Sequence, residues 1–191
     1  MLARQQAIEI LATSGPEAQW TRHCHAVADA ALQIGQVVAS RRAVDLDFLW
    51  PAALLHDIGR HVTHDPIQHG VAGYKLLSAL GHHAEAHICA AHILFGLRAD
   101  EAEQVGLPGG DFVPRTIEAR LVALADFLVE FDRPTTLARR FASLRRRNAH
   151  NPFFLDRLDR AFKDASTFMA QVERETGQSI EGLVAAQDQP A

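Results

Sequence analysis

Two acidic residues sit where a folded chain tolerates them least, and they restrict what this sequence can become. Asp57 follows the apolar run Phe48 to Leu55 directly after His56, and Asp126 interrupts the run Leu121 to Val129, one carboxylate among eight apolar residues. A helix over residues 115–131 flanks Asp126 with Ala119, Val122 and Val129, all apolar. Burying an unpaired carboxylate there is costly, so the fold must bring a cation to it, either an arginine or a metal ion. The run before His56 reads as the buried part of a short helix. Asp45 to Asp47 are its N-cap candidates, Pro51 lies near its first turn, and Gly59 fits the left-handed position just past its end, which turns the His-Asp pair inward. The dipeptide alone carries no weight, since a plain helix C-cap explains it equally well.

The rest of the chain reads as helix. No strand-like alternation and no internal repeat occurs, so the expected class is all-α, and 191 residues with 48% hydrophobic content suit one domain with a sizeable core. Helices are expected over residues 3–13, 17–42, 66–80, 83–94, 115–131, 135–146 and 152–176 in addition to the one before His56. Residues 96–115, rich in Gly and Pro, read as a loop with one helical turn near 100–105, able to cover a pocket. A mobile polar tail is expected from about residue 187.

Within that frame the histidines separate by face. The stripe Val27, Ala28, Ala31, Ile34, Val37 and Val38, extended backwards by four, lands on His23, while His25 lies about 200° away on the wet face. His69 shares a face with Gly73, Leu76, Leu77 and Leu80, and Gly73 permits close approach of a neighbouring helix. His92 points inward with Ile88 and Ala91, whereas His82, His83 and His87 point outward. For each inward histidine the competing reading is a hydrogen-bonded core residue.

Charge and cysteine content exclude several classes. A net charge of −4 and a pI of 6.2 argue against a general nucleic-acid or membrane surface, and the clusters Arg139-Arg140 and Arg145-Arg146-Arg147 read as a solvated helix face. Cys24 and Cys89 lie in apolar or helical contexts without a CxxC spacing, as buried thiols in a reducing compartment do. With no basic-then-apolar leader and no apolar stretch of membrane-spanning length, the expected location is the cytoplasm.

A histidine, a His-Asp pair and a later aspartate, each inward on its own helix, is the arrangement a divalent metal requires. Here the sequence resembles the HD superfamily of metal-dependent phosphohydrolases, through His23, His56-Asp57 and Asp126. The segment His23 to Ala31 resembles that family's first ligand helix, Leu54 to Gly59 its signature in the HDIG form, and Leu121 to Leu128 its last-aspartate helix. The resemblance covers residues 5–131 and is nearest to small, stand-alone HDIG proteins. It implies an HD-domain helical bundle over residues 1–135, an N-terminal helix plus a five-helix core, with 136–191 as a helical extension packed on the same domain.

The resemblance also implies a site. His23, His56, Asp57 and Asp126 would hold one divalent ion. His69 and His92, similar in place to residues of the small bacterial hydrolases of symmetric dinucleoside tetraphosphates, would hold a second, with Asp57 bridging and His64 a rival for the place of His69. A mixed imidazole and carboxylate shell suits Mn, Fe, Co, Ni or Zn better than Mg. The implied activity is hydrolysis of a phosphate ester or anhydride of a nucleotide or small phosphorylated metabolite by a metal-activated water. Arg60 is placed to hold a phosphate, or else is a cation at a helix C-terminus; Lys75 and Arg133 are lesser candidates. His64 or His61 would serve as general acid, against the alternative of a surface-loop histidine. A homodimer is left open. Two other functions compete: a diiron oxygenase using all six ligands, and a metal-bound nucleotide-sensing module without turnover.

Overall fold

The computed structural model describes residues 2–15 and 18–186, and among them ten α-helices are joined by two 3₁₀ turns and one short hairpin. In chain order α1 spans Arg4–Ala12, α2 Gln19–Ala39, α3 Leu46–Leu55, α4 Gln68–Ala79, α5 His83–Ala91, α6 Ala99–Gln104 and α7 Ile117–Phe127. After the hairpin of β1 (Val129–Glu130) and β2 (Arg133–Pro134) come α8 Leu137–Arg147, α9 Pro152–Thr176 and α10 Ile180–Ala185. The fold is all-α, and the expected tail from residue 187 lies outside the described residues.

Small residues decide which helices meet. The buried face of α2 carries Ala28, Ala30, Ala31 and Gly35, and it packs on α3 and α7, whose buried residues include Ala52, Ala53, Ala119 and Ala123. A Cβ on Gly35 would stand 2.5 Å from a Leu49 methyl, so this contact needs glycine. On the other side α4 packs on α5, where Gly70 and Gly73 face Cys89, in keeping with the close approach expected at Gly73. The helix ends are written locally. Asp45, Thr116, Thr136, Asn151 and Ser179 each accept a backbone N–H at an N-cap, a device that contributes about 1 kcal/mol apiece. Gly177, in the left-handed region at φ 72°, ends α9. That long helix buries Phe168 completely, and Phe168, Phe95, Phe127 and Phe141 form a chain of ring contacts that fastens the C-terminal helices to the same core.

Several expectations are corrected here. The helix expected over 83–94 stops at Ala91: Leu94 and Phe95 take positive φ of 49° and 60°, because the chain turns to lay Phe95 against Phe127 and Phe168. The helix expected over 115–131 stops at Phe127, since Phe131 at φ 60° turns the hairpin that sequence periodicity does not signal. Pro51 lies inside α3 beyond its first turn. Gly59 is not a left-handed cap; it sits in the 3₁₀ turn Ile58–His61, and what it provides is proximity, as a Cβ there would lie 1.9 Å from the His69 carbonyl oxygen. Finally, the 96–115 segment covers no pocket over the site. The Leu97 to Phe112 bridge closes it, Asp111 accepts from Ala99 N–H, and Arg160 of α9 pins Glu101.

Candidate metal centre

Six side chains from separate elements converge in the interior. His23 comes from α2, His56 caps the end of α3, Asp57 opens the following 3₁₀ turn, His69 lies on α4, His92 caps α5, and Asp126 lies on α7. All are buried, with no more than 9% of any exposed. The set brought together is the one expected from sequence. His23 Nε2 lies 3.0 Å from Asp126 Oδ1 and 4.0 Å from Asp57 Oδ2; His56 Nε2 lies 3.8 Å from Asp126 Oδ1 and 3.9 Å from Asp57 Oδ1. On the far side, Asp57 Oδ1 stands 2.9 Å from His69 Nε2 and 3.5 Å from His92 Nε2. Two triads therefore present mutually close ligand atoms: His23, His56 and Asp126, and His56, Asp57 and His92.

Backbone geometry fixes how the rings face. Nδ1 of His23, His56 and His69 lies 2.6, 2.7 and 2.7 Å from the carbonyl oxygens of Phe131, Ala53 and Asp65. A carbonyl only accepts, so in the neutral ring each Nδ1 keeps the proton and each Nε2 turns a lone pair toward the carboxylates. Lone pairs facing lone pairs in a dry interior repel, and His56 Nε2 and Asp57 Oδ1 are indeed buried without a hydrogen-bond partner, despite the close His69 contact. A divalent cation answers both defects at once, so these residues fit the metal they resemble a site for.

The electrostatics point the same way. Burial pushes the Asp57 carboxyl up, but Arg60, His69 and His56 outweigh it and hold the group well below the usual carboxylate range. Asp126 is likewise lowered against its burial, by the facing imidazoles of His23 and His56 and by Arg140. Both acids are thus poised as charged ligands. Burial lowers His56, yet Asp57 and Asp126 raise it on balance, while for His69 burial prevails and the ring favours the neutral form.

Of the cluster, His23 and Asp57 line a cavity of about 380 Å³, together with Gln19, Trp20, Arg60, His64, Phe131, Arg140 and Arg147 among others. Arg60 Nε pairs with Asp57 Oδ2, and its side chain remains a quarter exposed. His64 lines the cavity at an exposed position and does not join the cluster; His69 occupies the place for which it was a rival. His61 Nδ1 donates to the Ser14 carbonyl oxygen, Lys75 lines a separate groove with Val62 and Val71, and Arg133 stands exposed on β2. The reading of the arginine clusters as a solvated face is corrected at Arg140 alone. Arg139, Arg145, Arg146 and Arg147 are exposed, but Arg140 is buried beside Asp126, at 3.6 Å, so Asp126 has an arginine neighbour as well as histidines. The spacing carries the signal: Leu137, Arg140, Phe141, Leu144 and Arg147 fall on one face of α8.

Comparison with known proteins agrees with the geometry. The HD domain family model matches residues 20–129, a segment holding all six converging residues and ending before α8. An uncharacterized protein of Methanocaldococcus jannaschii is 39% identical over 56% of this chain and 64% of its own length. Two proteins named tRNA (cytidine(56)-2'-O)-methyltransferase are also similar. The one from Picrophilus torridus is 32% identical over 76% of this chain and 42% of its own, and the one from Thermoplasma volcanium 30% over 87% and 48%. The chain thus spans under two thirds of each relative, and under half of the two methyltransferases. No solved structure matches. With the family model covering more than half of the sequence and the His-Asp cluster assembled within the matched segment, this chain belongs to the HD domain family.

Proposed function

We propose that the chain is a metal-dependent phosphohydrolase acting on a phosphate ester or anhydride of a small, nucleotide-like substrate. One observation carries this reading: Asp57, whose buried Oδ1 is partnerless like the nearby His56 Nε2, lines with His23 a cavity whose walls bear guanidinium groups. His23, His56, Asp57 and Asp126 would hold one divalent ion, and Asp57, His69 and His92 a second; so bound, the metal would supply an activated water and offset charge on phosphoryl oxygens. The chain's own residues do the rest. Arg60, fixed through Nε by Asp57, keeps its terminal nitrogens for a phosphoryl oxygen. Trp20 and Phe131 offer apolar surface to the organic part of the substrate and limit water. His64, exposed in the same cavity, is placed to give a proton to a leaving oxygen.

The activity named for two relatives is not carried over, since this chain spans under half of each and the cluster suits hydrolysis. The presence of His69 and His92 in the cluster also meets the requirement of a diiron oxygenase. The guanidinium groups of Arg60, Arg140 and Arg147 on the cavity wall favour phosphate. Metal analysis of purified protein, followed by a panel of phosphate esters and anhydrides with and without Mn²⁺, tests the reading. Release of phosphate only with metal is expected. Tight binding without turnover supports the sensor instead, and oxygen consumption by the iron-loaded protein supports the oxygenase.

A further inference from the structure

Arg140 is a charged side chain in an unusual position. It is nine-tenths buried, it lines the cavity, and its Nε has no hydrogen-bond partner. Its nearest carboxylate oxygens, on Asp126 and Glu130, stand 3.6 and 3.8 Å from its terminal nitrogens, beyond the roughly 3.2 Å of a good hydrogen bond. A buried guanidinium so poorly satisfied is expected to have a ligand. Arg147 lies seven residues on, two turns along the same face of α8, and lines the same cavity. Its contacts are loose: Glu130 at 3.3 Å and the Phe131 ring at 5.7 Å. Arg60 completes the set from the 3₁₀ turn.

The charges around the cavity balance to zero before any metal enters. Asp57, Asp126 and Glu130 bring three negative charges, and Arg60, Arg140 and Arg147 three positive. One divalent ion then leaves two positive charges uncompensated and a second ion leaves four, so a phosphomonoester dianion is drawn in with either. A diester, with one charge, matches less well.

Resting on the phosphohydrolase reading, we propose that Arg140 and Arg147, together with Arg60, clamp the terminal phosphoryl group of a phosphomonoester. The clamp is contributed by α8, which lies outside the segment that the HD domain model matches. Planar forks of this kind grip phosphate oxygens two at a time, and three of them select a terminal group with several free oxygens over an internal one.

The test uses inorganic phosphate as the probe. Calorimetric titration of phosphate into Mn²⁺-loaded protein is carried out for the parent, Arg140→Gln, Arg147→Gln and Arg139→Gln, with metal content measured on each sample. Arg140→Gln is expected to weaken phosphate binding about tenfold to a hundredfold with metal content unchanged, and Arg147→Gln about tenfold. Arg140→Lys recovers only part, because a point charge replaces a fork. Arg139→Gln, on the exposed face, binds as the parent does. If Arg140→Gln and Arg147→Gln both bind phosphate with parental affinity, Arg140 is merely the counter-charge of Asp126 and the clamp is wrong. Should Arg140→Gln fail to fold, the half-exposed Arg147 carries the test alone with the same two readings. Failure of the clamp is separable from failure of the hydrolase. Parent protein that binds phosphate through these arginines yet cleaves no ester keeps the clamp and loses the enzyme, and the reverse pattern does the opposite.

Discussion

Replacing Gly59 with alanine should damage the second half of the metal cluster from a position that holds no ligand. The added Cβ would lie 1.9 Å from the His69 carbonyl oxygen and 2.4 Å from the Gly73 backbone nitrogen, where ordinary contact begins at 3.4 Å. Both obstacles are backbone, so no rotamer change relieves them, and the 3₁₀ turn and α4 must separate by about 1.5 Å. The residue struck is His69 itself, whose Nε2 now lies 2.9 Å from Asp57 Oδ1. Metal-ligand distances tolerate only about 0.2 Å, so a shift several times larger removes His69 from any shared ion. Overpacking of this severity belongs at the upper end of its usual range, about 3 kcal/mol, which for a chain of this size is roughly 6 to 12 °C in Tm. The measurements are thermal unfolding by circular dichroism and metal titration with elemental analysis. Expected are a fall in Tm of that size and a loss of at least about tenfold in affinity for a second ion. Gly81→Ala serves as the comparison: its Cβ meets nothing within 4 Å, so only the positive φ of 83° is strained, at about 1 kcal/mol, without effect on metal. If Gly59→Ala melts within about a degree of the parent and binds metal identically, the close approach of these two segments does not position His69, and the argument fails.

Three further outcomes follow from the same geometry. Asp57→Ala removes the carboxylate that faces five of the surrounding groups and should abolish tight metal binding; unchanged metal content in that variant contradicts the assignment. Chelation of metal-loaded protein should lower Tm by about 8 to 16 °C, the equivalent of the roughly 4 kcal/mol that a ligand at a thousand times its Kd contributes, and a Tm indifferent to complete metal removal would count against a bound ion. Burial pushes the Glu101 carboxyl up, but hydrogen bonds from Arg160 and Arg98 N–H lower it overall. Its folded pKa lies below the unfolded value of about 4.3, so its contribution is fully present above that pH and is lost as pH falls through the folded value. Glu101→Gln should therefore be less stable by about 1 to 2 kcal/mol at pH 7, with the gap narrowing as pH falls below about 4, by denaturant unfolding; a gap constant across that range contradicts the linkage.

Much of the His-Asp cluster is legible in the sequence because its members break the helical pattern or complete it. Asp126 stands out as a carboxylate inside an apolar helix, and His23, His69 and His92 fall on stripes that must face inward for any packing to succeed. What the sequence hides are features set by tertiary geometry. Whether Gly59 serves a left-handed turn or a close approach depends on where α4 lies, which the residues around Gly59 do not encode. The positive φ of Leu94, Phe95 and Phe131 is imposed by where their rings and carbonyls must go, against the preference of each residue. Arg140 is hidden for a different reason. A run of arginines looks solvated when counted, and only the heptad spacing of Arg140 and Arg147 with Leu137 and Leu144 separates the two that line the cavity, one buried and one half-exposed, from the three that do not.

The three histidines whose Nδ1 protons rest on carbonyl oxygens depend on residues 53, 65 and 131 through the main chain alone. No side-chain replacement at those positions deletes a carbonyl, so the ring orientation is indifferent to most point mutations around it. Its weak spot is length and backbone shape. One residue inserted in the Val129–Pro134 hairpin would carry the Phe131 oxygen out of reach of His23, while the same hairpin should accept many substitutions in its side chains. Read by metal content, a substitution scan of residues 130–133 should accordingly find them tolerant, and a scan of single-residue insertions and deletions should find them intolerant.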